Sequence, residues 1–304
     1  MSRLLPAALT LLAALAPMAQ ARAEGVVDRV ARSGELVLVG IPEVSPLFSL
    51  NAKGEPEGYG VAVARQVGKE LSVAVGRPVT LRFLPVQDGA ALGQSIASGK
   101  ADLACGIPFT WERDAQLDYS LPIGLSGLRL LAPAGRLDGS PASLKGRRIG
   151  VVADSLAATE LQGLQPQAIA VPFPGLGAAV AALKAGSVEG VIGDSLLLAS
   201  LSRGQGAPAF ALTPEEPYER FSVACLLPEN DSAFRNLVNL AIARLLQGYL
   251  DGTPEAVAAI DRWIGPGSSL NLPADRIRTY FESVMLGVEA LRPLPPAAAP
   301  RGAS

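Results

Sequence analysis

Short apolar runs alternate with stretches of helical periodicity along most of the chain. These runs predict strands at 35–41, 79–85, 101–107, 128–132, 148–153, 168–171, 188–193 and 222–227. Helical spacing or good helix formers predict helices at 60–73, 90–98, 157–161, 176–184, 195–202 and 232–249. Strands that alternate with helices in this way are typical of mainly parallel sheets with helices on their faces. The pattern therefore predicts an α/β fold.

One part of this pattern occurs twice. Residues 95–106 and 182–193 both contain the end of a helix, a glycine stop at Gly99 or Gly186, an acidic residue and an apolar strand that ends in glycine. The two copies are separated by about one domain of sequence, which predicts two lobes with similar sheets.

The first 23 residues have the pattern of a secretory signal peptide. Arg3 precedes an apolar run at 4–16, and small residues lead to a cleavage site after Ala23. The alternative, a membrane anchor, requires about 20 apolar residues, and this run is shorter. The residue directly after the cleavage site is Glu24 and not a cysteine, so no lipid anchor is expected. We predict a periplasmic protein of about 280 residues that is not inserted in the membrane.

Composition excludes several classes of function. Without Arg3 and Arg22, 24 basic residues face 28 acidic ones, which argues against a nucleic-acid partner. The chain has no histidine, so Ser-His-Asp and Cys-His catalysis and histidine metal sites are excluded. Because no glycine-rich phosphate loop is present either, no metal or cofactor is predicted. The only cysteines are Cys105 and Cys225, which either pair or are buried separately.

Ligands of open α/β sheets bind at the carboxyl ends of strands, which draws attention to the residues after Cys105 and Ile192. Thr110 and Arg113 follow the first strand, and Asp194 follows the second. A guanidinium and a carboxylate would then face each other across a cleft. The alternatives are that Arg113 is an ordinary surface residue and that Asp194 only caps the following helix.

Several motifs, in their order and spacing, resemble the family 3 extracellular solute-binding proteins that serve amino-acid ABC importers. The resemblance spans residues 34–265 and rests on the segments 99–103, 110–113, 118–122, 144–151 and 251–253, with Trp263 downstream. It implies a periplasmic binding protein-like type II fold with two lobes joined by a two-strand hinge. It also implies that lobe 1 comprises 24–125 plus 221–270, and that lobe 2 comprises 126–220. Beyond them we expect an extra C-terminal helix at 271–292, a disordered tail at 293–304 and a monomer.

The resemblance assigns Arg113 to the ligand carboxylate and Asp194 to its ammonium group. It implies that the ligand also contacts Gly106, Pro108, Thr110, Ser155, Leu156 and Ser45. Three of these depart from the family pattern: Pro108 has no N–H to donate, Leu156 replaces a hydroxyl residue, and Ser45 stands where binders of basic amino acids have an aromatic ring. A small apolar or modified ligand fits this pocket better than lysine or arginine.

The main functional prediction is therefore a non-enzymatic binding protein that delivers an amino-acid-like or peptide ligand to a membrane permease. The segments 109–114, 154–161 and 213–219 also resemble a cyanobacterial orphan branch associated with glycine-rich-repeat peptides and a radical-SAM maturase. That resemblance implies a partner or sensor without a transporter. A third alternative is an enzyme similar to cyclohexadienyl dehydratase, which would need a cleft acid of raised pKa, for which Asp194 or Glu160 could serve.

Overall fold

A computed structural model describes residues 24–42, 45–202 and 210–288 of the 304-residue chain. The predicted signal peptide at 1–23 and the predicted tail at 293–304 lie outside these residues. No helix in the described part of the chain is long and apolar enough to cross a membrane.

The chain alternates strands and helices, as the apolar pattern predicts. The strands are β1 Glu35–Gly40, β2 Ser49–Leu50, β3 Pro56–Glu57, β4 Thr80–Pro85, β5 Ala104–Pro108, β6 Asp118–Tyr119, β7 Gly124–Pro133, β8 Arg148–Val152, β9 Ile169–Phe173, β10 Gly190–Asp194, β11 Phe210–Thr213 and β12 Glu219–Leu227. The helices are α1 Val26–Ser33, α2 Tyr59–Val75, α3 Gly89–Ala97, α4 Trp111–Asp114, α5 Pro141–Leu144, α6 Leu156–Leu164, α7 Leu176–Lys184, α8 Ser195–Ser202, α9 Ser232–Leu250, α10 Pro254–Asp261 and α11 Ala274–Met285.

Two lobes of sheet and helices are connected by the long strands β7 and β12, which we call the crossover ribbon. The largest sheet has the order β5-β12-β7-β10-β8-β9, with β6 beside β12 and β11 beside β7. The strands of each lobe that alternate with helices are parallel: β1 with β4 in one lobe, and β8 with β9 and β10 in the other. The ribbon strands run antiparallel to each other and to the strands that they pair with, β5, β6, β10 and β11.

The lobe that contains β1 is built on buried helices and a buried strand. Residues 36–40 of β1 are all buried, as expected for a strand covered on both faces. Val63, Val67 and Leu71 recur every four residues along α2 and form a buried face that packs against α9. Beside this face, the buried Glu70 of α2 forms an ion pair with the half-exposed Arg244 of α9.

Cys105 and Cys225 form a disulfide, which decides the question that the sequence leaves open. They are paired residues on the neighbouring antiparallel strands β5 and β12. The bond therefore closes a loop that spans 120 residues and contains the whole second lobe.

Elements that the sequence pattern misses are mostly short. They include β2, β3, β6 and β11, together with α1, α4 and α5. The strand predicted at 128–132 is longer and begins at Gly124. Glycines at 124 and 127 interrupt its apolar pattern. Within the predicted C-terminal segment, α11 packs against α9 through Ile277 and Phe281.

Candidate functional site

The strands that precede Arg113 and Asp194 point toward each other along the crossover ribbon. β5 ends at Pro108, which pairs with Val223 of β12, and Val223 pairs with Gly124 of β7. β10 runs in the opposite direction and ends at Asp194, which pairs with Leu128 of β7. The two ends are therefore four residues, or about 14 Å, apart along the ribbon. Residues 125–127 and 220–222 form the floor between them.

Arg113 is held by the loop that follows β5. Its backbone N–H donates to the Thr110 hydroxyl at 3.3 Å, which caps the short helix α4. Its guanidinium Nη1 donates to the Pro108 carbonyl at 3.1 Å, and the Tyr119 hydroxyl donates to the same carbonyl at 2.9 Å. The guanidinium is exposed, so its other donors can reach a ligand. Pro108 therefore contributes an acceptor that orients Arg113, and the missing N–H has no role in this arrangement.

Aromatic rings surround this loop. Phe109 packs edge-on against Trp111 and tilted against Tyr119, with ring centroids 4.9 Å apart in both pairs. The Trp111 side chain, two residues before Arg113, is 76% exposed. An exposed indole beside an arginine at a strand end is a surface on which an organic ligand can stack.

Asp194 is bonded to its own helix and to the ribbon. Its Oδ1 accepts from the Leu196 and Leu197 N–H groups at 2.9 and 3.1 Å, which caps α8, and from the Ser126 hydroxyl at 2.8 Å. Burial raises the pKa of the Asp194 carboxyl, and these hydrogen bonds oppose that effect. The capping alternative is thus present in the structure. It does not exclude ligand binding, because the residue is only partly buried and the bonds from Ser126, Leu196 and Leu197 all use Oδ1.

Ser155 and Leu156 lie at the start of α6, on the same lobe edge as Asp194, because β8 and β10 are parallel neighbours. The Ser155 hydroxyl donates to the Val152 carbonyl at 2.7 Å and accepts from the Ala158 N–H at 3.3 Å. This hydroxyl caps the helix, and Leu156 packs against the core. Only the backbone N–H groups at the start of α6 are therefore placed to meet an anionic group.

An apolar pocket opens at the carboxyl ends of β1 and β5. It is lined by Val39, Leu47, Phe48, Leu92 and Gly106, among others. Gly106 has a φ of 91°, and a Cβ there would lie 3.2 Å from the Leu47 side chain. A larger residue at 106 would therefore be strained and would crowd the pocket. Ser45 lies two residues before Leu47 in the loop that forms this wall.

Carboxylates from both lobes and from the ribbon act on one another. Burial raises the pKa of Glu219, at the start of β12, and the negative charges of Glu160 in α6 and Glu112 in α4 raise it further. One carboxylate from each lobe therefore adds negative charge at the start of β12. Among the described residues, no group of three or more cysteine, aspartate or glutamate side chains could hold a metal ion.

The sequence profile of the bacterial extracellular solute-binding proteins, family 3, matches residues 37–265. The chain belongs to this family. Solved structures with the same fold include an ancestral amino acid-binding protein described as a precursor of cyclohexadienyl dehydratase. It is 18% identical with a TM-score of 0.67, and the match covers 80% of this chain and 100% of that one. The Neisseria gonorrhoeae solute receptor for L-cysteine is 21% identical with a TM-score of 0.67, and the match covers 79% of this chain and 95% of that one.

This solute-binding protein is also similar to part of a larger signalling protein. The virulence sensor protein BvgS of Bordetella bronchiseptica is 27% identical over 235 residues, which are 76% of this chain and 17% of that protein. The same match is found in the Bordetella parapertussis protein. The chain thus spans about a sixth of the length of the curated relatives it matches.

Sequence reasoning placed the predicted site residues of this solute-binding protein at or just after strand ends, and in the structure they lie at strand ends, in the adjoining loops, or in the helices α4 and α6 that follow directly. It missed Ser126, which donates to Asp194 across 68 residues of sequence, Tyr119, which donates to Pro108, and Glu219, whose pKa is raised by carboxylates of both lobes. Trp111 could have been noticed, because an aromatic residue beside a candidate ligand-binding arginine is itself a signal.

Proposed function

We propose that this family 3 solute-binding protein works in the periplasm, where residues 1–23 direct it, and closes its lobes around an amino-acid-like or peptide ligand. The observation that carries the proposal is that Arg113 and Asp194 follow strands that point toward each other along the ribbon. An exposed guanidinium offers two parallel donors to a carboxylate. The carboxylate of Asp194 is a partner for an ammonium group, which needs a nearby anion once it is desolvated.

The surroundings favour a ligand with a free amino group and a small apolar side chain. Glu112, Glu160 and Glu219 add negative charge from both lobes and the ribbon, which favours a cationic group. The pocket beside Gly106 has apolar walls and suits a short hydrocarbon side chain.

In this proposal the two lobes rotate about the crossover ribbon. Lobe 1 comprises 24–125 plus 221–270, and lobe 2 comprises 126–220. The ligand contacts both lobes only in the closed state, and this difference in affinity drives closure. The closed form would then dock to the membrane permease of an ABC importer. The protein acts as a monomer, needs no cofactor and is not an enzyme.

A second candidate function is supported by the similarity to BvgS, a sensor protein. Here the same closure would be detected by a signalling or peptide-processing partner, without transport. Permease and ATPase genes beside this one would favour uptake, and their absence would favour the sensor.

The first experiment is a thermal-shift screen of residues 24–304 against amino acids, short peptides and prephenate. A ligand that binds only the folded state adds about 2.7 kcal/mol of stability at a hundredfold excess over its dissociation constant. We expect a shift with an amino acid or peptide that is lost in Arg113→Ala. Arg113→Lys, which keeps the charge but not the planar fork, should show an intermediate shift. No shift with any compound would refute the proposed pocket. Turnover of prephenate would show that the protein is a dehydratase and would refute the proposal that it only binds its ligand.

A further inference from the structure

The last helix of the described residues, α11, lies outside the region that matches the family, yet it reaches the crossover ribbon. The Tyr280 hydroxyl donates to the Gly124 carbonyl at 2.7 Å. From α2, the buried Tyr59 hydroxyl donates to the preceding carbonyl, that of Ile123, at 2.8 Å. Two tyrosines thus hold consecutive carbonyls where β7 leaves the first lobe.

Tyr280 also meets the other ribbon strand. Burial raises the pKa of Tyr280 to about 12, against the opposing effect of a hydrogen bond with Ser222 of β12. Ser222 pairs with Leu125, the residue after Gly124. Tyr280 is therefore bonded to β7 and interacts with Ser222 of β12, one residue pair further along the ribbon.

α11 is in turn fixed to the body of the first lobe. The buried Phe281 packs edge-on against Tyr249 of α9, with ring centroids 5.3 Å apart. The Arg278 Nη2 donates to the Leu250 carbonyl at 2.8 Å, at the end of α9. A helix anchored at these points cannot follow the ribbon if its strands twist, so it resists such a twist through Tyr280.

We propose that Tyr280 is a positioning residue through which α11 sets the resting angle between the lobes. This inference rests on the proposed function only in that the lobes move about the ribbon. Closure must change the twist of the strands near their exit from the first lobe, where Tyr280 is bound. Docking of α11 and closure of the cleft are therefore linked, and each biases the other.

The test measures the distance between the lobes directly and needs no ligand. Spin labels on noncanonical amino acids at the exposed positions Lys53 and Gln167 leave the disulfide intact. Pulsed electron paramagnetic resonance measures the distribution of distances between the two labels. We expect Tyr280→Phe to shift or broaden this distribution. Tyr218→Phe is the matched control, because it removes a hydroxyl that donates to the Gly139 carbonyl within the second lobe and has no contact with α11. A Tyr280→Phe distribution that superimposes on the wild type, or an equal change in the control, would overturn the proposal.

The reverse direction of the linkage is tested by changing the ribbon. A Cβ at Gly127 would lie 2.6 Å from the Glu219 carbonyl oxygen, so Gly127→Ala must displace one ribbon strand. We expect faster hydrogen exchange of the α11 amides in this variant than in Gly150→Ala, whose new Cβ meets only side chains within the second lobe. Equal exchange rates in the two variants would contradict the linkage.

These experiments also separate the inference from the proposed function. If Tyr280→Phe changes the distance but no amino acid, peptide or prephenate does so in the wild type, the proposed ligand class fails and the inference stands. If a ligand closes the wild type and Tyr280→Phe leaves both states unchanged, the inference fails and the proposed function stands.

Discussion

Replacing Asp194 by alanine or by asparagine separates its capping role from its proposed contact with a ligand. Alanine removes the acceptor for two N–H groups of α8, a cap whose loss costs about 1 kcal/mol. It also removes the carboxylate partner of the buried Ser126 hydroxyl, which costs about 1–3 kcal/mol. We expect Asp194→Ala to lower the free energy of unfolding by about 2–4 kcal/mol.

Asparagine keeps a side-chain oxygen at the capping position and removes only the charge. Because burial raises the pKa of Asp194, the charged form is disfavoured by folding, so a neutral side chain should not lower the free energy of unfolding at neutral pH. If Asp194 binds the ligand ammonium, the dissociation constant should still rise about thirtyfold or more, which corresponds to about 2 kcal/mol.

The assays are urea unfolding for stability and calorimetry, with the ligand from the thermal-shift screen, for affinity. Asp88→Ala is the control, because Asp88 caps α3 by accepting from the Ala91 N–H at 2.8 Å. It should lose about 1 kcal/mol of stability and no affinity. The reasoning would be refuted if Asp194→Asn destabilised the protein as much as alanine does, or if it left the affinity unchanged.

Three further predictions concern the disulfide, pH and the start of α9. Replacing Cys105 and Cys225 by alanine should lower the unfolding free energy by about 2–5 kcal/mol, because the bond closes a loop of 120 residues; an unchanged urea midpoint would contradict this, and reductant should affect only the wild type. Ligand affinity should decrease as the pH falls, and the decrease should begin above the ordinary aspartate pKa of 3.8. The reason is that Asp194, with its raised pKa, takes up a proton at a higher pH and then cannot pair with an ammonium group. Calorimetry should find no such pH dependence in Asp194→Asn. Asp231→Ala should lower the free energy of unfolding in urea by about 2 kcal/mol, twice the loss in the Asp88 control, because Asp231 accepts from N–H groups in the first turns of both α1 and α9. Equal losses in the two variants would contradict this double cap.

The sequence alone determined the elements that depend on neighbouring residues. Periodicity located the long helices and the buried strands, because an amphipathic or fully apolar segment displays its burial along the chain. Asp194 could be recognised as a helix cap because capping involves residues only two or three positions away. The absence of histidine limited the possible chemistry without any structure.

Only the tertiary structure decided which distant residues meet. The pairing of Cys105 with Cys225 depends on β5 lying beside β12, and no local pattern specifies that neighbour. The bond from Ser126 to Asp194 joins residues 68 apart, and the bond from Tyr280 to Gly124 joins residues 156 apart. Such contacts depend on the register and packing of the whole fold, which local propensity does not determine. The sequence therefore predicted candidate residues for ligand binding, and the structure alone revealed the distant contacts that position them.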